Sequence, residues 1–425
     1  MSLERLAAAC VFPSFPGPEA PEWVLRWIER GLGGITLFAD NVGHPDRLAG
    51  LTARLREAGE LVLAIDEEGG DVTRLESGRG SSYPGNLALG VVDDPALTAD
   101  VAAAIAAGLA RAGVNLNLAP VADVNTNPDN PVVGVRSFGA DPELVARHVA
   151  AFVEGTQRQG VAACAKHFPG HGDTAEDSHL GLPVVSSDLD AALLPFRAAI
   201  AAGARAVMTA HLLVPSLDDV PATLSERVLT GLLRGELGFS GLVITDALEM
   251  KAISEGIGVA EGAVRAIAAG ADALCVGHDL REETVVAVVG ALVEAVGGGR
   301  LPLGRLEQAA SRVGEMVRWA APRADGAPGR EVGAAAARRA LRVHGSPTVA
   351  GDPHVVELVP AANIAAGDLA YGLAELWPGS TGVRLSERDD PAAVAAAANG
   401  RPVVLVLRDA ARHGWQRDVD RKSVV

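Results

Sequence analysis

The sequence is poor in aromatic residues and in cysteine. Phenylalanine, tryptophan and tyrosine make up 4% of its 425 residues, which disfavours the rows of stacked rings that bind long, extended ligands. The three cysteines, Cys10, Cys164 and Cys275, are odd in number and far apart, so a disulfide framework is not expected. Reduced cysteines within apolar runs are typical of buried thiols in the cytoplasm, and we therefore predict a cytoplasmic protein.

Positive charge is also scarce. The chain carries 37 Lys and Arg against 53 Asp and Glu, a formal net charge of −16. Because nucleic acids and anionic membranes are bound by basic faces, neither is an expected partner. No apolar run reaches the roughly 18 residues of a membrane span, and the first residues lack the pattern of a signal peptide. The expected partner is a small molecule.

Short apolar runs alternate with longer amphipathic segments. Several of these segments begin at an Asp-Pro pair and end at Gly, as helices do. Strands separated by helices pair in parallel, and eight of them favour a closed barrel over an open sheet. The first run is also not followed by the G-x-G-x-x-G turn of a dinucleotide-binding sheet. We therefore predict an α/β protein with a (β/α)8 TIM-type barrel. The eight runs are residues 7–15, 33–39, 61–66, 114–120, 162–168, 204–214, 241–248 and 272–278.

A change in composition marks the end of the barrel pattern. We predict a catalytic barrel at residues 1–320, a linker at 321–335 and a further part at 336–425. The linker contains "APRADGAPGREVG", which is rich in Ala, Pro and Gly. The last part has two strand-like runs, "PHVVELVP" and "RPVVLVLRD", and these indicate a partial α/β domain.

Ionisable residues end six of the eight apolar runs. In a barrel of this type, catalytic groups lie on the loops after the carboxyl ends of the strands. One polar residue there is often only a solvated strand end, but six on one rim predict a polar pocket. They are Asp66, Asp123, the pair Lys166-His167, His211, Asp246 and His278.

Asp246 has two interpretations. In "GLVITDALEM" it follows a strand-like run and precedes a helix-like run, which fits a helix N-cap. The same position fits a nucleophile at the barrel mouth, held ionised by nearby cations. Lys166, His167 and Arg136 are candidates for those cations.

The segment "KHFPGHGDTAEDSH", residues 166–179, concentrates histidines and carboxylates. A metal site is disfavoured because Pro and Gly between the first two histidines prevent one helix face from presenting both. The carboxylates disfavour a phosphate cradle. An acid/base loop is favoured over a merely solvated one, since Asp177 can orient His179, whose ordinary pKa of about 6.5 suits proton transfer at neutral pH. We expect neither a metal nor a cofactor. The residues of the metal alternative are His167, His171 and His179 with Asp173 and Asp177.

Four motifs resemble those of the bacterial β-N-acetylglucosaminidases of glycoside hydrolase family 3. They are "IDEEGGDVTRL", "NPVVGVRSFG", "KHFPGHGDTAEDSH" and "LVITDALEM", and the resemblance covers roughly residues 5–320. It implies a (β/α)8-type barrel, often followed by an α/β sandwich domain. It further implies Asp246 as catalytic nucleophile and His179 as acid/base, with Asp177 orienting and charging the ring. The residues implied in sugar binding are Asp66, Arg136, Lys166 and His167.

One position departs from the family pattern. The family usually has Arg directly after the two glycines, where this chain has Asp71. The reversed charge removes a cationic contact and bears on which sugar hydroxyls are preferred. Arg74 follows three residues later and is a candidate for partial compensation, but the sequence assigns it no role.

The resemblance implies a retaining reaction on terminal N-acetylglucosamine, through a covalent intermediate on Asp246. The scarcity of aromatics favours short glycans, either chitin oligomers or cell-wall fragments. Two alternatives stay open. A neutral imidazole does not repel phosphate, so a His179 acid/base also permits a β-N-acetylglucosaminide phosphorylase; the other alternative is an inactive sugar-binding barrel. The glycines of residues 166–179 also predict a loop that closes and opens over the sugar.

Overall fold

The computed structural model describes residues 1–176, 178, 181–185, 189–346, 348–360, 373, 377–390, 398–410 and 412–423. The chain divides into two compact units. The first comprises Met1–Glu76 and Ser81–Ala340, and the second comprises Ser77–Gly80 and Leu341–Val425.

Eight short parallel strands form the centre of the first unit. They are β1 Val11–Phe12, β2 Gly34–Leu37, β3 Val62–Ile65, β4 Leu116–Asn117, β5 Ala162–Phe168, β6 Ala206–Thr209, β7 Leu242–Thr245 and β8 Leu274–Cys275. Strands β2 to β7 are hydrogen-bonded in sequence order, and β1 pairs with β8. The ring is completed where Thr36 N donates to Pro13 O at 3.0 Å and where Ile244 bridges to Ala273. The predicted (β/α)8 barrel is confirmed.

Helices follow the strands and cover the barrel. The Asp-Pro starts are confirmed, because the Asp94 carboxylate accepts from Leu97 N at 3.2 Å and the Asp141 carboxylate accepts from Glu143 N at 3.0 Å. A π-helix, Arg227–Glu236, lies between β6 and β7. The α-helices are α1 Leu3–Ala8, α2 Glu22–Glu29, α3 Ala39–Val42, α4 Pro45–Ala58, α5 Asn86–Val92, α6 Pro95–Arg111, α7 Pro142–Arg158, α8 Leu189–Ala201, α9 Lys251–Ser254, α10 Val259–Ala269, α11 Glu282–Gly297, α12 Leu303–Trp319 and α13 Glu331–Ala340.

The barrel interior is filled by small and medium apolar side chains. Val313 and Met316 of α12 join this inner cluster, and Val313 lies against Gly33 just before β2, so α12 closes the amino-terminal end of the barrel. Each buried Val, Leu, Ile, Phe or Met side chain among them stabilises the fold by roughly 1.5–3 kcal/mol. The carboxyl-terminal end is left for polar groups. The inner strand residues are Phe12, Val62, Ala64, Leu116, Leu118, Ala162, Cys164, Ala206, Met208, Leu242, Ile244, Ala273 and Cys275.

The first unit continues past residue 320, the position at which the composition predicted the end of the barrel. The second half of the expected linker runs into α13, which belongs to the first unit. Ala336 is fully buried, and a Cβ atom at Gly333 would lie 2.2 Å from the Ser82 carbonyl oxygen. Small residues at these two positions let α13 pack closely, which composition alone did not indicate.

The second unit contains a parallel three-stranded sheet. Strand β9, His354–Leu358, lies between β10, Thr381–Leu385, and β11, Val403–Val406. Strands β9 and β11 match the two strand-like runs of the sequence, whereas β10 was not predicted. A final helix, Gly414–Ser423, contributes Val419 to a small apolar cluster with Val356, Leu358 and Leu385.

No helix among the described residues combines the length and the apolar character needed to cross a membrane.

Candidate active site

Four charged side chains meet at the carboxyl ends of β3 and β5. Lys166 Nζ lies 2.5 Å from Asp66 Oδ1 and 2.7 Å from Glu68 Oε1. Arg136 donates to the same Glu68 carboxylate twice, from Nε at 3.0 Å and from Nη2 at 2.7 Å. Three of the predicted sugar-binding residues, Asp66, Arg136 and Lys166, therefore lie in one cluster with Glu68.

Glu68, Arg136 and Lys166 of this cluster are buried, and these three hold one another in the charged form. Burial alone would lower the pKa of Lys166, but Asp66 and Glu68 outweigh it and raise the pKa. Burial alone would raise the pKa of Glu68, but the charges of Arg136 and Lys166 lower it well below its ordinary value. Burial would also lower the pKa of Arg136, and the Glu68 charge raises it instead. The result is a set of fixed donors and acceptors at the barrel mouth.

Asp123 organises the chain after β5. Its side chain is fully buried, and Oδ2 lies 2.7 Å from His167 Nδ1. Its Oδ1 accepts from the backbone N–H groups of His167 at 3.2 Å and His171 at 2.7 Å. A carboxylate beside Nδ1 places a proton on that nitrogen and fixes the plane of the His167 ring. The Lys166-His167 peptide bond next to this contact is cis.

The first part of the loop after β5 is anchored to the loop after β4. Asn130 Nδ2 donates to His171 O at 2.8 Å and to Thr174 Oγ1 at 3.3 Å. The His171 ring contacts Thr174 Oγ1 at 2.6 Å through Nδ1 and Ser178 Oγ at 3.1 Å through Nε2. Burial lowers the pKa of His171, so the ring is neutral at neutral pH. His171 is therefore an anchor of this loop.

Glycine is required inside the same loop. A Cβ atom at Gly172 would lie 1.9 Å from the Val124 carbonyl oxygen. The predicted acid/base residues, Asp177 and His179, lie outside the described residues, so their roles and the closing of the loop stay predictions. Among the residues that the structure describes, no three His, Cys, Asp or Glu side chains are grouped as metal ligands.

Asp246 directly follows β7. Because Leu242 and Ile244 belong to the inner cluster, the two-residue period of a strand places Asp246 on the same inner side, above them. Its negative charge is one of those that act on the pKa of His171. The N-cap interpretation is wrong, since the next helix, α9, begins five residues later at Lys251, and its N-cap is Met250.

The two remaining histidines at strand ends have different surroundings. His211 is buried, with Nδ1 2.8 Å from Thr223 Oγ1 and Nε2 donating to Ala247 O at 3.0 Å. It thereby joins the loop after β6 to the residue that follows Asp246. The His278 side chain is 46% exposed, and its Nε2 lies 3.2 Å from Asp40 Oδ1.

Asp71 lies on a tight turn in which Gly69 pairs with Val72. Arg74, two residues beyond the turn, is buried, and its Nη2 lies 4.0 Å from Asp66 Oδ2. A cation therefore reaches the Asp66 carboxylate even though position 71 does not supply one.

Two residues of this site were not assigned from the sequence. Glu68 was not singled out, although it stands two residues after Asp66 and contacts the same lysine. Asp123 was noted only as the end of an apolar run. Its role depends on the path of residues 167–171, about 45 positions further along the chain, and no local pattern indicates it.

A closed parallel barrel with buried charged residues at the carboxyl ends of its strands is the arrangement of a (β/α)8-barrel enzyme. The model of the glycosyl hydrolase family 3 N-terminal domain matches residues 18–316. The chain belongs to glycoside hydrolase family 3, as the four motifs predicted.

Curated relatives and solved structures agree with this family. Beta-hexosaminidase A of Pseudoalteromonas piscicida is 39% identical over 282 residues, which is 60% of this chain and 47% of that protein, so the match spans about half of that relative. The beta-hexosaminidase of Xylella fastidiosa (strain M23) is 37% identical over 65% of this chain and 87% of its own length.

Among solved structures, a family 3 β-N-acetylglucosaminidase from Paenibacillus sp. str. FPU-7 is similar over 99% of this chain and 87% of its own, with a TM-score of 0.88 and 36% identity. The β-N-acetylhexosaminidase of Beutenbergia cavernae is similar over 75% of this chain and 99% of its own, with a TM-score of 0.68 and 33% identity.

Proposed function

We propose that this chain is a retaining exo-β-N-acetylglucosaminidase that removes terminal N-acetylglucosamine from short glycans. The observation that carries the proposal is the buried cluster of Asp66, Glu68, Arg136 and Lys166 at the barrel face to which Asp246 belongs. Its carboxylates accept hydrogen bonds and its cations donate them, which suits the hydroxyl groups of a sugar. The names of the hexosaminidase and N-acetylglucosaminidase relatives support the same substrate class.

In the proposed reaction, Asp246 attacks the anomeric carbon while His179 protonates the leaving oxygen. His179 then takes a proton from water, and that water releases the sugar from the Asp246 ester. Asp177 orients His179, and a positioned acid/base contributes roughly 10²–10⁴-fold to the rate. The residues proposed to bind the sugar are Asp66, Arg136, Lys166 and His167.

The source of the glycan and its compartment are also proposals. Few aromatic side chains are present to stack on a long polymer, so chitin oligomers or cell-wall fragments are the proposed substrates. The proposed cytoplasmic location is supported by Cys10, Cys164 and Cys275, which are free and buried. The absence of a nucleic-acid partner stays a prediction from charge.

The test is the release of nitrophenol from 4-nitrophenyl β-N-acetylglucosaminide, with and without added phosphate, with the sugar product identified. We expect free N-acetylglucosamine in both conditions, and a β anomer as the first product in a proton NMR time course. Asp246→Asn should lose at least about 10³-fold in kcat, whereas Asp219→Asn, an exposed carboxylate after β6, should retain wild-type turnover.

Three outcomes would contradict the proposal. Phosphate-dependent formation of a sugar 1-phosphate would make the protein a phosphorylase. Sugar binding without any turnover would make it an inactive barrel. Full activity of Asp246→Asn would remove Asp246 from the mechanism.

A further inference from the structure

A third carboxylate, Glu67, stands between Asp66 and Glu68 and faces the opposite way. It is 3% exposed, and its two neighbours contact Lys166 whereas its own carboxylate contacts the segment that follows. Its Oε2 accepts from the backbone N–H groups of Arg74 at 2.8 Å and Leu75 at 2.9 Å. Glu67 therefore binds the chain at Arg74 and Leu75, and its neighbours bind Lys166.

The turn that Glu67 holds brings Arg74 to the sugar-binding cluster. The chain reverses at Gly69 and Gly70, where Gly70 has a φ of +57° and a Cβ atom would lie 2.6 Å from the Gly85 Cα. The reversal is closed by a hydrogen bond from Glu68 N to Val72 O at 2.9 Å. Arg74 then lies alongside Asp66, with Nη2 4.0 Å from Oδ2.

We propose that Glu67 is a positioning residue for sugar binding, whose carboxylate fixes the backbone at Arg74 and so sets the guanidinium beside Asp66. The inference rests on the proposed function, because Asp66 counts there as a sugar-binding residue. It adds a role for a side chain that the sugar does not touch.

The ionisation of Glu67 makes this positioning dependent on pH. Burial raises the pKa of Glu67 to about 7, although the N–H groups, the Thr73 hydroxyl and the Arg74 charge oppose it. Arg74 is the charged group that acts on the pKa of Glu67, and the Glu67 charge in turn raises the pKa of Tyr83. Asn117, from β4, is neutral and brackets the Glu67 backbone, accepting from N at 3.1 Å and donating to O at 2.9 Å.

A protonated carboxyl group is a weaker acceptor than a carboxylate, so the two hydrogen bonds that position Arg74 weaken as the pH falls through 7, although removal of the buried charge favours the folded protein as a whole. We expect this weakening to raise KM, because the turn positions Arg74, whose guanidinium contacts Asp66 of the sugar-binding cluster. A group that transfers a proton in the reaction would instead change kcat.

The experiment measures kcat and KM on 4-nitrophenyl β-N-acetylglucosaminide from pH 5.5 to 8.5. For the wild type, we expect KM to rise about threefold to tenfold between pH 8 and pH 6, the order of one charged hydrogen bond becoming neutral. For Glu67→Gln, which keeps an acceptor oxygen but does not titrate, we expect a KM that is flat over this range and a kcat profile of unchanged shape.

Two further variants separate positioning from a general effect on folding. Glu76→Gln changes a carboxylate two residues after Arg74 that accepts from Ser82 N at 2.6 Å, and it should keep the pH dependence of KM. Arg74→Gln should raise KM and remove its pH dependence, and adding Glu67→Gln to it should change KM by less than twofold. If Glu67→Gln does not fold by circular dichroism, Glu67→Asp takes its place and should raise KM while retaining the pH dependence.

Several results would overturn the role proposed for Glu67. A Glu67→Gln protein that keeps the wild-type dependence of KM on pH would overturn the proposal. The proposal would also fail if the increase in KM of the double variant equalled the product of the increases in the Glu67→Gln and Arg74→Gln variants. A wild type that turns over the substrate with a flat KM would also overturn it and leave the proposed function intact. A wild type without turnover would instead refute the proposed function, and this inference with it.

Discussion

The Lys166 ammonium lies 2.5 Å from the Asp66 carboxylate, and only 2% of the lysine side chain is exposed. The two residues are 100 positions apart and belong to the ends of β3 and β5, with β4 between them. The ion pair therefore spans one strand of the barrel mouth. Burial would lower the pKa of Lys166, and the two carboxylates beside it raise that pKa instead, so the ammonium stays charged.

Replacing Lys166 by Met should destabilise the protein strongly. The change keeps the length of the side chain but leaves the Asp66 and Glu68 carboxylates without their shared cation, at an expected cost of about 3–5 kcal/mol in the free energy of unfolding. Urea unfolding measures it. The matched control is Lys251→Met, whose exposed pair with Glu255 should be worth less than about 0.5 kcal/mol. Equal losses for both variants would contradict the prediction.

A second buried ionic group should affect stability without affecting catalysis. Asp272 is fully buried before β8 and binds Arg234 at 2.5 Å, Arg305 at 2.6 Å and Arg312 at 3.0 Å. Asp272→Asn leaves three guanidinium groups without their carboxylate and should cost about 3–5 kcal/mol by urea unfolding. Because these contacts lie at the amino-terminal end of the barrel, kcat/KM of the folded variant should stay within about twofold of wild type.

Asp325→Asn, an exposed change of the same type, is the control and should alter stability by less than about 0.5 kcal/mol. A tenfold loss of kcat/KM in folded Asp272→Asn would show that this network reaches the catalytic face.

The pKa of Glu67 predicts a change in stability with pH. Its pKa is raised from 4.5 to about 7 in the folded protein, so its contribution to stability is fully present below about pH 4.5 and is lost as the pH rises through 7. Glu67→Gln does not titrate, so it should gain about 1–3 kcal/mol relative to wild type between pH 5 and pH 8. Urea unfolding at both pH values measures the difference. The prediction is contradicted if wild type and Glu67→Gln differ in the free energy of unfolding by the same amount at both pH values.

The acid/base role proposed for His179 predicts sensitivity to the leaving group. His179→Ala should lower kcat/KM roughly 10²–10⁴-fold for an alkyl aglycone, which needs a proton to leave. For a dinitrophenyl aglycone, which leaves as a stable anion, the loss should be about tenfold or less. Kinetics on both substrates test this, with His44→Ala, an exposed histidine, as control. Equal losses on both substrates would argue against proton donation by His179.

Much of the fold could be predicted from local sequence. All eight barrel strands lie inside the apolar runs, and the Asp-Pro caps of α6 and α7 lie where the sequence indicated. The strands are shorter than the runs, as at 204–214, where the strand is only Ala206–Thr209. The apolar run continues from this strand into a buried loop, and hydropathy does not distinguish a buried strand from a buried loop. Strand β10 was missed because its residues are mostly exposed.

The candidate site was predictable in composition but not in detail. Polar residues at strand ends, together with the family motifs, pointed to Asp66, Arg136, Lys166, His167 and Asp246. Contacts within the site depend on segments far apart in the chain, and this is why Glu68 and Asp123 were not assigned. The catalytic and binding roles of these residues stay predictions until the variants are measured.

The sequence by itself determined the alternation of strand and helix, the rim on which polar groups collect and the family, because periodicity, capping and motifs are properties of neighbouring residues. Only the tertiary structure decided which carboxylate faces which cation. Glu67 and Glu68 are adjacent and chemically identical, yet one holds a turn and the other pairs with Lys166 and Arg136. Both residues follow β3, and the distant segments that the closed barrel brings beside each of them decide which partner it binds.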